Sequence, residues 1–308
     1  MVKYIYESVF WQVVWSKHGE QIEELDRSHV HMRDRDHVMN TLIKMGNDGR
    51  NKLQVVADFD RTLSKYVHHG NICATCHQVL EEGEMPEVYK QKTFEIREKY
   101  LPIETNPNMT IEDKIPYMIE WWTQMHELLI KYPVSKNKLH DMVAASTAKL
   151  RDGCKKLFDT LHRCDVPLLI FSAGIGDIIR ELITQQASCY NNMHFVSNDL
   201  VFDENDEMKG FKGNIIHLFN KNENAVHDSD YFSNLSHCSH VLLMGDSLGD
   251  LQMANGAENV ESKLTIGFLN FGVTDRLELY KSKYDIVICE DETLDIVNAI
   301  LNQIIGTD

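Results

Sequence analysis

Leu53-Gln54-Val55-Val56-Ala57-Asp58-Phe59-Asp60-Arg61-Thr62-Leu63 is the stretch that decides the fold. Its first half is almost wholly apolar and lacks alternation, the composition of a strand buried on both faces of a parallel sheet. It runs straight into two aspartates spaced i and i+2. Alone, Asp-x-Asp is weak, since such pairs are common in surface turns and calcium loops. Just past a buried strand, both carboxylates can point into one crevice if the backbone turns there.

Working outward, runs of the same kind stand at 167–171, 194–197, 241–244 and 264–268, with a further candidate at 285–289. Helical patterns lie between most of them, for example at 151–163, 176–186 and 251–255. Strand–helix alternation predicts an α/β fold with a doubly wound parallel sheet, Rossmann-like in plan. One gap breaks the rhythm. About 110 residues separate the first two strands, far more than the dozen or so a crossover needs. That stretch reads as helices at 87–100, 111–131 and 135–148, with turn signals at Pro102, Pro107 and Pro133. We therefore expect an all-helical cap inserted after the first strand, closing over the edge where open α/β folds place their ligands. The expected division is an N-terminal extension at 1–30, a core at 31–64 and 150–308, and a cap at 65–149.

The other strand ends also carry polar chemistry. The run at 167–171 leads into Ser172-Ala173-Gly174 and a helix opening at Gly176. A hydroxyl and free backbone amides at a helix start can cradle phosphate, although a plain serine cap is the simpler reading. Lys221 lies in a loop, where a solvated lysine would be ordinary. The run at 241–244 ends in Gly245-Asp246-Ser247-Leu248-Gly249-Asp250, where two glycines permit a tight turn and two more carboxylates arrive.

In this order the segments resemble the four-part signature of the haloacid dehalogenase-like phosphohydrolases: DxDxT, serine, lysine, then GDxxxD. The resemblance implies Asp58 as nucleophile, since a carboxylate can hold a phosphoryl group and split hydrolysis into two displacements. It implies Asp60 as general acid and base. Magnesium, a hard octahedral cation, would be held by Asp58, the Asp60 backbone carbonyl and Asp246, with Asp250 supporting. Lys221 and Ser172, with the Ala173 backbone, would hold the phosphoryl oxygens, and Thr62 would orient the phosphate or the loop.

More specific strings extend the likeness. FDRTLS from Phe59, Pro102-Ile103-Glu104, Glu120-Trp121-Trp122-Thr123, Phe171 to Asp177, Asn220-Lys221-Asn222 and Met244 to Asp250 resemble the cytosolic 5′-nucleotidase III family, over about residues 30–305. That likeness implies hydrolysis of nucleoside 5′-monophosphates, either pyrimidine or 7-methylguanosine. Glu104 would bind the base, accepting from a cytosine amine or a guanine edge. Trp122 would stack on it, favouring a cationic methylated guanine, and Tyr66 could supply an opposing ring. Two departures stand out. Met125 falls where pyrimidine-type relatives carry serine, and Arg61 is unusual in the nucleophile loop, its side chain expected to face away from the metal. The same chemistry could support phosphotransfer to another nucleoside. An idle nucleotide-binding module is disfavoured, because a pure binder has no need for Asp60.

The formal charge of −16, from 47 acidic against 31 basic residues, argues against nucleic-acid polymers or anionic membrane as partners. It permits a phosphorylated small molecule, since a bound cation reverses the local field. The seven scattered cysteines suit a reducing compartment, and Cys73-Ala74-Thr75-Cys76 cannot complete a four-ligand zinc site by itself. No run reaches the ~18 apolar residues that span a bilayer, and 1–15 lack a signal-peptide cleavage pattern. A cytoplasmic monomer is expected.

Overall fold

A computed structural model describes residues 22–106, 108–221, 231–257 and 259–306. The strands are β1 (Val30–Met32), β2 (Leu53–Ala57), β3 (Val67–His68), β4 (Asn71–Ile72), β5 (Leu168–Ile175), β6 (Met193–Asn198), β7 (Leu200–Phe202), β8 (Met208–Phe211), β9 (His240–Gly245), β10 (Ser262–Leu269) and β11 (Ile286–Cys289). The longer helices are α1 (Arg35–Asp48), α2 (Cys76–Glu82), α3 (Glu87–Glu104), α4 (Ile111–Lys131), α5 (Lys136–Ala145), α6 (Cys154–Arg163), α7 (Gly176–Gln186), α8 (Val273–Lys281) and α9 (Asp295–Ile305).

Seven strands form one sheet in the order β1-β11-β10-β9-β2-β5-β6, with β1 antiparallel at one edge and the rest parallel. The absence of alternation in β2 now has its reason. Val55 and Ala57 pack into one apolar cluster with Val38, Leu42, Leu242 and Met244. Val56 packs on the opposite face with Leu169, Leu243, Tyr280 and Tyr284. Both faces of the sheet are covered, as a doubly wound fold requires. The extension expected at 1–30 ends sooner, because Leu25 is buried and β1 pairs with β11; positions 1–21 lie outside the described residues.

Between β2 and β5 the chain builds the cap from α2, α3, α4 and α5. It is not wholly helical: β3 and β4 form a hairpin of two residues each. Its two ends meet, since Ser64 bridges Leu150 and the Lys65 N–H donates to the Lys149 carbonyl at 2.8 Å. Helix α3 runs past its expected end at Tyr100, through Pro102, to finish on Glu104. Helix α6 starts at Cys154 rather than 151, after Gly153 in the left-handed region, which leaves Arg151 free for another duty. The helix expected at 251–255 is a 3₁₀ turn at Leu248–Gln252.

Candidate active site

Sheet register gathers the strand-end residues. Ala57 lies beside Met244 on β9 and Ile170 on β5. Asp58, one residue on, therefore sits between the ends of both, and its N–H donates to the Met244 carbonyl at 3.0 Å. Its carboxylate is buried and accepts from the Lys221 ammonium, which also donates to Asp250 Oδ1 at 2.9 Å. Asp250 is fully enclosed, and its Oδ2 accepts from the Ser247 N–H at 2.9 Å and hydroxyl at 2.8 Å. A Cβ on Gly245 would stand 2.4 Å from the Asp250 Cβ, and one on Gly249 would stand 2.7 Å from the Leu218 carbonyl oxygen. Gly245 thus lets Asp250 fold back against the strand end, and Gly249 lets that turn close on the Leu218–Asn220 turn that delivers Lys221.

Asp58, Asp246 and Asp250 can bring carboxylate oxygens within 4.8 Å of one another. Three carboxylates face one ammonium, and the imbalance shows. Asp58 is pushed up to about 7 by burial, against the pull of Lys221, and Asp250 adds to the rise. Asp246 is raised well above the carboxylate range by burial, then by Asp58 and Asp250. Lys221 is raised too: burial works against its charge, but Asp250 and Asp58 outweigh it. A cluster this short of positive charge can hold a divalent cation, which would return the aspartates to their ionised form.

Asp60, half-buried, turns the other way. Its Oδ1 accepts from the Cys76 N–H at 2.9 Å, at the first residue of α2. Burial raises its pKa and that bond partly offsets the rise. The Cys73/Cys76 pair, with both thiols free, therefore contributes a cap-to-core backbone contact. Ser172 is buried, and its Oγ accepts from the Gly174 N–H at 3.0 Å, which leaves the hydroxyl proton to donate elsewhere. Ala173 is half-buried, its carbonyl held by Asn198 Nδ2 at 2.8 Å. Thr62 works through its backbone: the hydroxyl is buried without a partner among the described residues. Its carbonyl accepts from Arg151 Nε at 2.8 Å.

Arg151 gave no signal in the sequence. It is fully buried, and its guanidinium also donates to the carbonyls of Arg61 (2.7 Å) and Asp291 and to Asn270 Oδ1 (2.5 Å), stapling the nucleophile loop from behind. Glu292 holds the next stretch, accepting from the N–H groups of Tyr66 (3.0 Å) and Val67 (3.2 Å).

At the cap end, Glu104 is half-buried and its carboxylate has no hydrogen-bond partner among the described residues. Burial raises its pKa, and the charges of Arg61, Lys114 and Lys221 pull it back. Lys114 also ties down the Glu104 carbonyl at 2.8 Å. Trp122 stacks on Trp121 (5.8 Å, 9°), which stacks on Tyr100 (5.8 Å, 15°). The ring facing Trp122 from α2 is His77, at 4.6 Å and 34°. Tyr66 instead pairs with Phe271 at 5.3 Å. His77 is a residue the sequence reading missed; burial holds it neutral, with its pKa lowered to about 4. Met125 is buried in the cap's own apolar cluster. The loop carries Arg61 at φ +64°, its guanidinium lies 5.3 Å from the Tyr66 ring centre, and its charge is felt by Asp60, Asp246 and Glu104.

A parallel sheet whose carboxyl edge presents this aspartate–lysine–serine set beneath an inserted cap defines a haloacid dehalogenase-like phosphohydrolase. Comparison with known proteins narrows the class. Pyrimidine 5′-nucleotidase (UMPH-1) is matched over residues 61–305, and the chain belongs to that family, making it a 5′-nucleotidase and phosphoric monoester hydrolase. It is 42% identical over 288 residues to the 7-methylguanosine phosphate-specific 5′-nucleotidase of Mus musculus, covering 93% of this chain and 96% of that one. A crystal structure of cytosolic 5′-nucleotidase IIIB bound to cytidine superposes with a TM-score of 0.86 at 33% identity, covering 92% of this chain and 96% of that chain. A HAD-family hydrolase from Salmonella enterica, at TM-score 0.51 and 13% identity over 85% of this chain and 74% of that one, shares the fold alone.

Proposed function

We propose that the protein is a cytoplasmic, magnesium-dependent nucleotidase that hydrolyses nucleoside 5′-monophosphates, 7-methyl-GMP, CMP and UMP among them. One observation carries the reading: Asp58 is paired with Lys221, and Asp246 stands beside it with excess negative charge. A carboxylate oxygen of Asp58 attacks phosphorus as the bond to the nucleoside O5′ breaks, and Asp60 gives that oxygen its proton. Asp60, now ionised, takes a proton from a water whose oxygen displaces Asp58, releasing inorganic phosphate. Lys221 and the Ser172 hydroxyl hold the phosphoryl oxygens as charge develops on them, with the Ala173 backbone completing the cradle. Asp58, the Asp60 carbonyl and Asp246 would hold magnesium, with Asp250 supporting. Bound there, the cation offsets the repulsion between an anionic nucleophile and an anionic phosphate.

At the other end, Glu104 accepts from the base edge and Trp122 stacks on its face. The relatives' names for 7-methylguanosine phosphate and cytidine support both base classes. The test is phosphate release from 7-methyl-GMP, CMP, UMP, GMP and AMP, with magnesium and with EDTA. Magnesium-dependent release from the first three supports the reading. A well-folded protein that releases phosphate from none of the five overturns it.

A further inference from the structure

Two buried tyrosines, Tyr280 and Tyr284, lie behind the loop that follows β9, and neither the motif nor the proposed chemistry uses them. Tyr280 stands on the last turn of α8. Tyr284 follows one turn on, its N–H donating to the Tyr280 carbonyl at 2.8 Å. Their rings stack at 5.8 Å and 24°. Each hydroxyl donates to a carbonyl of the loop, Tyr280 to Asp246 at 2.6 Å and Tyr284 to Ser247. Arg276, one turn earlier, donates to Tyr280 Oη at 2.9 Å, which leaves that hydroxyl's own proton for Asp246. Gly267 on β10 admits the second ring, since a Cβ there would stand 2.6 Å from Tyr284 Cδ2. The Ser247 N–H is bonded to Asp250, so the peptide unit between Asp246 and Ser247 is held at both its oxygen and its nitrogen.

That clasp sits where it is needed. Asp58, Asp246 and Asp250 can bring their oxygens within 4.8 Å of one another, and like charges drive such a cluster apart. Lys221 ties down Asp58 and Asp250. The Asp246 carboxylate has no hydrogen-bond or ion-pair partner of its own among the described residues. Its place is therefore set by its backbone, which is what the two hydroxyls hold. We infer that Tyr280 and Tyr284 are positioning residues of the metal site: their hydroxyls keep the Asp246 loop in place against carboxylate repulsion, so that a divalent cation meets a preformed ligand set. This rests on the assignment of Asp246 as a metal ligand. The ring stack couples the two hydroxyls, and the effect falls on the affinity for the cation rather than on the chemical step.

The experiment titrates magnesium chloride alone, by calorimetry, into the wild type, Tyr280→Phe, Tyr284→Phe and the double variant. Phenylalanine keeps each ring and its stack and removes only the hydroxyl. The dissociation constant should rise roughly 3- to 10-fold in each single variant and roughly 10- to 100-fold in the double. At saturating magnesium, kcat on p-nitrophenyl phosphate should stay within about threefold of wild type, the split expected of residues that act through the metal site. Tyr190→Phe, which deletes a hydroxyl bonded to Asp159 at 2.7 Å outside the loop, should leave the dissociation constant unmoved. A lower melting temperature with unchanged magnesium affinity in the tyrosine variants overturns the inference and leaves both residues as core packing. The single variants decide the matter if the double one does not fold. A wild type that binds no magnesium and hydrolyses substrate in EDTA removes the metal assignment itself, and the inference with it.

Discussion

At the carboxyl edge of the sheet, the groups that position the nucleophile are committed. Asp250 has both oxygens occupied, Lys221 divides its protons between two carboxylates, and four groups accept from Arg151. In the cap two groups are left open among the described residues: the Glu104 carboxylate has no hydrogen-bond partner and His77 Nε2 is buried without one. The difference is one of division of labour. A reacting centre must be fixed to within a fraction of an ångström before substrate arrives. A recognition surface gains discrimination by leaving acceptors that the correct base satisfies and the wrong base strands.

The largest expected effect breaks the comparison at its fixed end. Asp58→Asn should cost on the order of 10⁴ or more in kcat on every substrate while circular dichroism stays unchanged; residual turnover near wild type would remove Asp58 from the reaction. Next, magnesium should raise the melting temperature of the wild type by binding the folded state alone. Asp246→Asn should shrink that gain, read by differential scanning fluorimetry. At the open end, Glu104→Gln should lower kcat/KM for nucleotides by roughly 10- to 100-fold, the range for a hydrogen bond to a charged group, and leave p-nitrophenyl phosphate untouched. Equal losses on both would make Glu104 part of the chemistry. Trp122→Ala should cost 7-methyl-GMP roughly 3- to 30-fold and CMP less.

A further effect, on stability and not on turnover, is one the two ends share. Burial depresses His126 in the cap to about 3 and His217 beneath Lys221 to about 4. The unfolded chain takes up these protons near the ordinary histidine range while the folded chain resists, so stability falls as pH drops from about 6.5 towards 4, by on the order of 1 kcal/mol per pH unit for each residue. His126→Phe, which keeps a ring against Phe211 at a stacking position now 3.5 Å away, should flatten the cap's share of that slope in pH-dependent melting and leave the share from His217.

Most of the fixed end was legible, because Asp58, Asp60, Ser172, Asp246 and Asp250 follow apolar runs at short spacing, whereas Lys221 in its loop is marked only by the order of the motif. β2 was read to its exact bounds and α4 and α7 likewise. What local pattern could not carry was partnership across distance. Arg151 lies 89 positions from the Thr62 carbonyl it holds, and nothing around it sets it apart from a surface arginine. Tyr66 finds Phe271, and Trp122 finds His77, through the closing of the cap. Edge strand β1 is three residues long and too short for any period to show.

The place of β2 in the sheet also governs how the chain is made. Its two neighbours are β9 and β5, and a ribosome releases it long before either. At about 5 to 20 residues per second, the roughly 180 residues from Ala57 to His240 take about 10 to 40 s to emerge. For that time the nascent strand, apolar on both faces, has only one side or none of its final pairing, and cap residues of the same apolar cluster, such as Val79, Leu139 and Met142, also lack core partners such as Ile178 and Ile179. Synthesis rate and chaperone supply, more than final stability, should therefore set the yield of active enzyme.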